Sequence, residues 1–263
     1  MPATEIASVD GNIGPTADAT VPLKDDGLYR GDGAFEVIRV YAGRPFELEA
    51  HLDRLERSAG AIELSVDRER FAGEIAVLLE RNGSEDAQLR LLATRGGRRI
   101  ALIEPLVDWG ETVRLATVTY EPSVILTGVK SLSYAANMQA TRLAKARGAD
   151  EALLVRADGI VLEAPTSTIF WASAGALRTP SLESGILDSI TRRILLEALD
   201  VVEGELRLDD VLGAGEAFLA STTREVQPVS AIDGVAFEPG PHAAEAKQAF
   251  ARAVEEAMGA PSA

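Results

Sequence analysis

The sequence predicts an α+β protein of two domains, and three observations carry that reading. The first 120 residues alternate apolar and polar positions in short runs joined by turn pairs, with two amphipathic helical stretches among them. At Glu121-Pro122-Ser123 the patterning breaks. Beyond it, short strands and tight turns alternate with helices, as in a barrel-like sheet with flanking helices. The expected division is a small α/β domain over 1–120, a linker over 121–125, and a larger pseudo-barrel domain over 126–263.

In the first half, residues 5–13 read as a strand with an Asp10-Gly11 turn, a hairpin start. A loop follows to Asp26. Gly31-Asp-Gly33 permits a sharp turn into a half-buried strand through Tyr41, and Ala42-Gly43 closes a hairpin into Pro45. Leu52 and Leu55 give one apolar face to a short helix over 49–58. The next helix takes Asp67 as N-cap and stops at Asn82-Gly83, with Phe71, Ile75, Leu78 and Leu79 on its buried stripe. Strands over 88–94, 99–106 and 112–120 complete this half.

The second half opens with a helix over 132–147 closed by Gly148. Strands are expected over 151–156, 160–163, 167–172 and 176–179, with turns at Asp158-Gly159 and Ala174-Gly175. Asp188 or Ser189 caps a helix to about Leu199. Strands over 201–208, 216–220 and 226–229 precede a hairpin at Asp233-Gly234, and Pro241 opens a last helix to about Met258.

Composition narrows the chemistry. The 263 residues are 46% hydrophobic and 25% charged, enough to bury a sizeable core. A formal charge of −15 argues against nucleic acid and against a membrane surface as partners. With no Cys there is no disulfide or thiolate nucleophile. With only His51 and His242, a His-rich metal site is excluded, and no metal is expected. No signal-like start or membrane-length apolar run is present, so the expected location is cytoplasmic. What remains is Lys, carboxylate, Arg, Tyr and Ser/Thr chemistry, or an organic cofactor.

Four lysines exist: Lys24, Lys130, Lys145 and Lys247. Three read as surface charges. Lys130, in Thr127-Gly-Val-Lys-Ser-Leu-Ser-Tyr134, follows a Gly turn and has small hydroxylated neighbours, which suits an amine aimed into a cavity. Glu163 ends a strand, either as a solvated end or as the partner of a protonated ring nitrogen. Asp188-Ser-Ile-Thr191 starts a helix whose amides can seat an anion, and Ser221-Thr-Thr223 can add hydroxyls; each is also ordinary capping. Arg54 projects from a helix toward solvent or a phosphate. The tip Arg95-Gly-Gly-Arg98-Arg99 is an exposed turn or a carboxylate holder. His51 reads as structural. Together an amine, an acid and an anion seat are the three handles of pyridoxal phosphate.

From Tyr29 to Asp233 the chain resembles the class IV aminotransferases, the fold type IV pyridoxal-phosphate enzymes. The stretches that carry this are Gly-Asp-Gly-Ala-Phe-Glu-Val-Ile-Arg-Val-Tyr, His-Leu-Asp-Arg-Leu, Val-Lys-Ser-Leu-Ser-Tyr, Gly-Ala-Asp-Glu-Ala-Leu-Leu-Val, Gly-Ile-Leu-Asp-Ser-Ile-Thr-Arg and Ser-Thr-Thr-Arg-Glu-Val-Gln-Pro-Val. The resemblance implies that Lys130 carries pyridoxal 5'-phosphate as a Schiff base and shuttles the proton. It pairs Glu163 with the ring nitrogen and packs Leu187 on the ring. Arg54, the Ile190 and Thr191 amides and Thr222 hold the phosphate, and Tyr134 lies near the phenolic oxygen. On the substrate side it points to Arg30, Phe35, Val37, Arg39, Arg95, Arg98 and Thr223. Thr168 stands where relatives carry Asn, and Asp188-Ser189 where many carry Gly.

The implied reaction is transamination between an amino acid or primary amine and a 2-keto acid, in a homodimer with shared active sites. The alternative within the family is aminodeoxychorismate lyase, which releases pyruvate and p-aminobenzoate. Phe35 to Tyr41 resembles the D-amino acid and branched-chain patterns, whereas Lys-Ser-Leu-Ser-Tyr with Asn137 resembles the lyases. A non-catalytic binding protein on the same fold is the alternative outside enzymes.

Overall fold

The structure, a computed structural model, describes residues 5–259. Within them the chain forms two compact units, one of residues 5–107, 129–134 and 256–259, the other of 108–128 and 135–255. The expected division at 121–125 is corrected in two places: the strand before it belongs to the second unit, and the Lys130 segment after it belongs to the first.

The first unit begins with β1 (Ile6–Val9), β2 (Asn12–Pro15), α1 (Asp26–Arg30), β3 (Gly33–Tyr41) and β4 (Arg44–Pro45). It continues with α2 (Leu48–Ala61), α3 (Arg68–Asn82), β5 (Ala87–Thr94) and β6 (Arg99–Glu104). The strands form one antiparallel sheet in the order β2-β1-β6-β5-β3-β4. Helices α2 and α3 bury Leu52, Leu55, Phe71, Ile75 and Leu78 against Ile38, Val40, Leu89 and Ile103 of the strands. Asp67 caps α3 as expected, accepting from the Arg70 amide at 3.2 Å. The short α1 was not foreseen; the Asp25 side chain nucleates it by accepting from the Gly27 amide at 2.7 Å.

The β3–β4 turn rests on the end of α3. Gly43 sits at φ 79°, and a Cβ placed there would lie 2.0 Å from the Gly83 carbonyl oxygen. Gly43→Ala therefore combines a left-handed backbone penalty with a backbone clash, together roughly 3 kcal/mol. A clearly lowered thermal midpoint is the expected result, and an unchanged one would contradict this packing.

The second unit comprises β7 (Val113–Thr119), α4 (Ala135–Ala146), β8 (Glu151–Val155), β9 (Thr168–Ser173), β10 (Ala176–Pro180) and α5 (Ile190–Ala198). It is completed by β11 (Val201–Gly204), α6 (Leu208–Leu212), β12 (Glu216–Ser221), β13 (Glu225–Ile232), β14 (Val235–Ala236) and most of α7 (Pro241–Gly259). The sheet runs β11-β10-β9-β12-β13-β7-β8, with β14 beside β13. Because β7 pairs in parallel with both β8 and β13, it cannot belong to the first unit's sheet.

The strand expected over 160–163 is a shorter bridged segment, and it closes the path. On one side it exchanges backbone bonds with β8, Leu162 donating to Leu154 and Leu154 to Glu163, both at 2.9 Å. On the other side Val161 donates to Leu206 at 2.8 Å, and Ile160 bridges Arg207, just past β11. The sheet thereby becomes the expected pseudo-barrel, cored by Leu153, Val161, Ile169, Trp171, Leu219 and Val229. The strand expected over 201–208 is also corrected: it stops at Gly204, and α6 follows. No helix among the described residues is long and apolar enough to cross a membrane.

Candidate active site

Lys130 does not run directly into a helix. Residues 130–132 lie as a short extended piece against β3: the Phe35 amide donates to the Lys130 carbonyl at 3.0 Å, and the Leu132 amide to Gly33 at 2.8 Å. The backbone is thus committed to a strand partner, and α4 starts only at Ala135. Gly33 permits the approach, since a Cβ there would lie 2.7 Å from Leu132 Cδ1 and 2.4 Å from the Ala93 carbonyl oxygen. The Lys130 amide also donates to Ser58 Oγ at 3.1 Å. Its side chain reaches over Phe35, with Nζ 4.5 Å from the ring centroid. Tyr134 meets the same ring edge-on at 5.3 Å. Lys24, Lys145 and Lys247 are exposed, while Lys130 is half-buried.

Helix α2 builds the neighbourhood. His51, Arg54 and Ser58 recur at helical spacing on one face, and all three are buried. They face Glu36, which sits on β3 between Ala34 and Ile38 on the helix-covered side and is fully buried. Glu36 accepts from Arg54 Nε at 2.7 Å and Nη2 at 2.8 Å, and its Oε2 lies 2.7 Å from His51 Nδ1. Burial alone would raise the Glu36 pKa, but the Arg54 guanidinium and His51 outweigh it and hold the carboxyl far below the usual range. Burial pushes His51 down, with Arg54 and Lys130 adding to the shift against the pull of Glu36. A neutral imidazole beside an ionised carboxylate carries its proton on Nδ1 and donates it to Glu36. His51 is therefore a structural part of the site. Glu36 was not singled out from sequence, although a carboxylate in phase with Ala34, Ile38 and Val40 is the signal that marks it.

Phe35, Val37 and Arg39 share the opposite side of β3, as strand alternation requires. The structure engages Arg39 with Asp86 at 3.0 Å and over the Tyr41 ring at 4.7 Å. Arg30, at the end of α1, is exposed and 3.4 Å from Asp26. Arg95 and Arg98 do hold carboxylates, but those of the chain itself. Arg95 pairs with Asp32 at 3.1 Å and donates to the Glu63 carbonyl at 2.7 Å, while Arg98 pairs with Asp10 at 2.6 Å. These two arginines pin the β5–β6 turn.

In the second unit, Glu163 ends the barrel-closing segment, and its Oε1 accepts from the Leu187 amide at 3.2 Å. Tyr120 lies close by: burial first, then the Glu163 charge, raises its phenol pKa. The structure decides the cap of α5 in favour of Ser189, whose Oγ accepts from the Arg192 amide at 3.3 Å and whose carbonyl accepts from Arg193 at 3.0 Å. The Ile190 and Thr191 amides in that first turn have no intrahelical acceptor. Thr191 is fully buried, and its Oγ1 has no hydrogen-bond partner among the described residues. An orphan hydroxyl beside open amides at the positive end of a helix fits a phosphate. Thr168 Oγ1 is likewise buried without a hydrogen-bond partner among the described residues. Thr222 and Thr223 occupy the turn between β12 and β13.

Comparison with known proteins identifies the family. The family model for amino-transferase class IV matches residues 33–232. A Methanocaldococcus jannaschii protein described as a branched-chain-amino-acid aminotransferase is 34% identical over 86% of this chain and 87% of its own. A D-alanine aminotransferase of Bacillus licheniformis is 30% identical over 88% and 91%. The aminodeoxychorismate lyase of Bacillus subtilis is 30% identical over 86% of each chain. Among solved structures, a hypothetical aminotransferase from Mycobacterium tuberculosis with α-ketoglutarate and PMP bound superposes with a TM-score of 0.88 at 27% identity, covering 95% of this chain and 98% of that one. The chain belongs to the class IV aminotransferases, fold type IV enzymes that use pyridoxal phosphate to move an amino group between an amino acid and a 2-keto acid.

Proposed function

We propose that Lys130 carries the pyridoxal phosphate and is the group that moves the proton during amino transfer. The observation that carries this reading is the setting of Lys130: alone among the four lysines it is half-buried, tied by its backbone to β3 and Ser58, with its amine over the Phe35 ring. When bound, the cofactor supplies the electron sink that amino transfer needs. Glu163 holds the ring nitrogen protonated, and the Leu187 amide on its Oε1 orients it. Arg54, preset by Glu36, joins the Ile190 and Thr191 amides and the Thr222 hydroxyl in holding the phosphate. Leu187 packs on the ring, and Tyr134, held by Phe35, stands by the phenolic oxygen. Phe35, Val37 and Thr223 face the substrate. Arg30 and Arg39 remain candidates there, while Arg95 and Arg98 act as struts.

The substrates we propose are an amino acid or primary amine and a 2-keto acid. Steady-state assays with D-alanine, L-leucine and (R)-1-phenylethylamine should show turnover that depends strictly on a keto-acid acceptor. Pyruvate and p-aminobenzoate released from aminodeoxychorismate with no acceptor present would overturn transamination in favour of the lyase. We also infer a cytoplasmic homodimer with shared active sites, the dimer supported by the exposed Leu23, Leu28, Tyr29, Val124 and Ile125. Sedimentation of a monomer at micromolar concentration would contradict it.

A further inference from the structure

The turn from Ser221 to Glu225 carries Thr222 and Thr223, and its next residue, Arg224, is only 6% exposed. The whole guanidinium is engaged. Nε donates to Ser167 Oγ at 3.1 Å, Nη1 to Gln227 and Nη2 to Glu151, and the group lies 4.0 Å from the centroid of the Trp109 ring. Glu151 uses its other oxygen to accept from Thr166 Oγ1 at 2.9 Å. Gln227 is fixed in turn by the carbonyls of Trp109, of Gly110 at 3.1 Å and of Thr112 at 3.2 Å. Thr166 and Ser167 belong to a tight turn that starts directly after Glu163, closed by Ala164 donating to Ser167 at 2.8 Å and Ser167 to Ala164 at 3.3 Å. One buried fork thus ties the Thr222 turn to the turn that follows Glu163.

A buried ion pair adds little net stability over apolar packing, so stability alone is a weak reason for this arrangement. Its distinguishing property is geometric, because a planar fork fixes the direction of each bond where an ammonium would not. We propose that Arg224 is a positioning residue: with Glu151 it sets the Thr222 hydroxyl and the Glu163 carboxylate at a fixed separation, so that the phosphate and ring nitrogen of one cofactor are met together. This rests on the cofactor roles assigned above to Lys130, Glu163 and Thr222. It does not make Arg224 a catalytic residue.

The test compares Arg224→Met, Arg224→Lys and Glu151→Gln with Asp210→Asn. The last cuts another part-buried carboxylate of the same barrel, one that accepts from Trp171 Nε1 and Ser173 Oγ, both at 2.8 Å. Each apo-protein is titrated with pyridoxal phosphate, and Kd, visible circular dichroism of the bound form and thermal midpoint are recorded. Arg224→Met should raise Kd roughly 10–100-fold, as loss of an outer partner does for other bound groups, and should change the dichroic band. Arg224→Lys should fall between it and wild type. Asp210→Asn should lower the midpoint while keeping Kd within about twofold, below ~0.4 kcal/mol. Wild-type Kd and dichroism in both Arg224 variants would overturn the proposal, as would an equal rise of Kd in Asp210→Asn. If the Met variant does not fold, the Lys variant decides by the same readouts. A wild-type protein with no visible band on titration would instead defeat the Lys130 reading on which this one stands.

Discussion

Lys130→Ala should lower turnover at least about 10³-fold, the scale of losing a positioned proton-transfer group, and should also remove the covalent attachment of the cofactor. The substitution leaves the segment in place. The bonds that fix residues 130–132 are main-chain bonds to Phe35 and Gly33 and an amide bond to Ser58, and none uses the lysine side chain. Thermal midpoint and far-ultraviolet dichroism should therefore stay near wild type. A variant that keeps more than a few per cent of turnover would show that another group moves the proton.

The second large effect falls on Glu36. Replacing it with Leu leaves the Arg54 guanidinium buried without its carboxylate, a change that costs about 3–5 kcal/mol and lowers the thermal midpoint on the order of 10 °C. Glu36→Gln keeps an acceptor but not the charge, so it should fall between the two. Both should weaken phosphate binding, because Arg54 loses both of the bonds that orient it in the Leu variant and one of them in the Gln variant. The same cluster sets a pH signature. Glu36 has its carboxyl pKa depressed on folding, so its stabilisation is fully present above the ordinary carboxylate range, about pH 4.3, and is lost as pH falls below it. The lowered His51 pKa acts in the same direction from a higher starting point: its contribution is present above about pH 6.5 and declines below it. Thermal midpoints measured from pH 7.5 to 5 should fall in wild type and less steeply in His51→Gln. Parallel curves would mean that folding leaves the His51 pKa unshifted.

Much of this was legible in the chain because it is local. Alternation marked the strands of the first sheet, Asp67 and Gly83 bounded α3, and the motifs around Lys130, Thr191 and Thr222 carried the family. What was not legible depends on partners far away in sequence. Nothing near Arg95 or Arg98 announces that Asp32 and Asp10 will take them, so in sequence the tip reads equally as an exposed turn or as a holder of a substrate carboxylate. The domain division failed for the same reason, since pairing of β7 with β13 joins residues more than a hundred apart. The late start of α4 follows from hydrogen bonds to β3, which helix propensity over 132–147 cannot register. Glu36 and Arg224 form an instructive pair. Glu36 could have been found as a charge in phase with the apolar strand face, whereas Arg224 sits in a polar turn motif and only its burial reveals it.

The whole site turns on Lys130 bearing the cofactor. Reduction of the holoenzyme with borohydride, followed by proteolysis and mass spectrometry, tests it most directly. The expected result is a yellow protein that bleaches on reduction and a single phosphopyridoxyl-modified peptide, labelled at Lys130. Label on Lys24, Lys145 or Lys247, or a protein that takes up no cofactor at all, would contradict it.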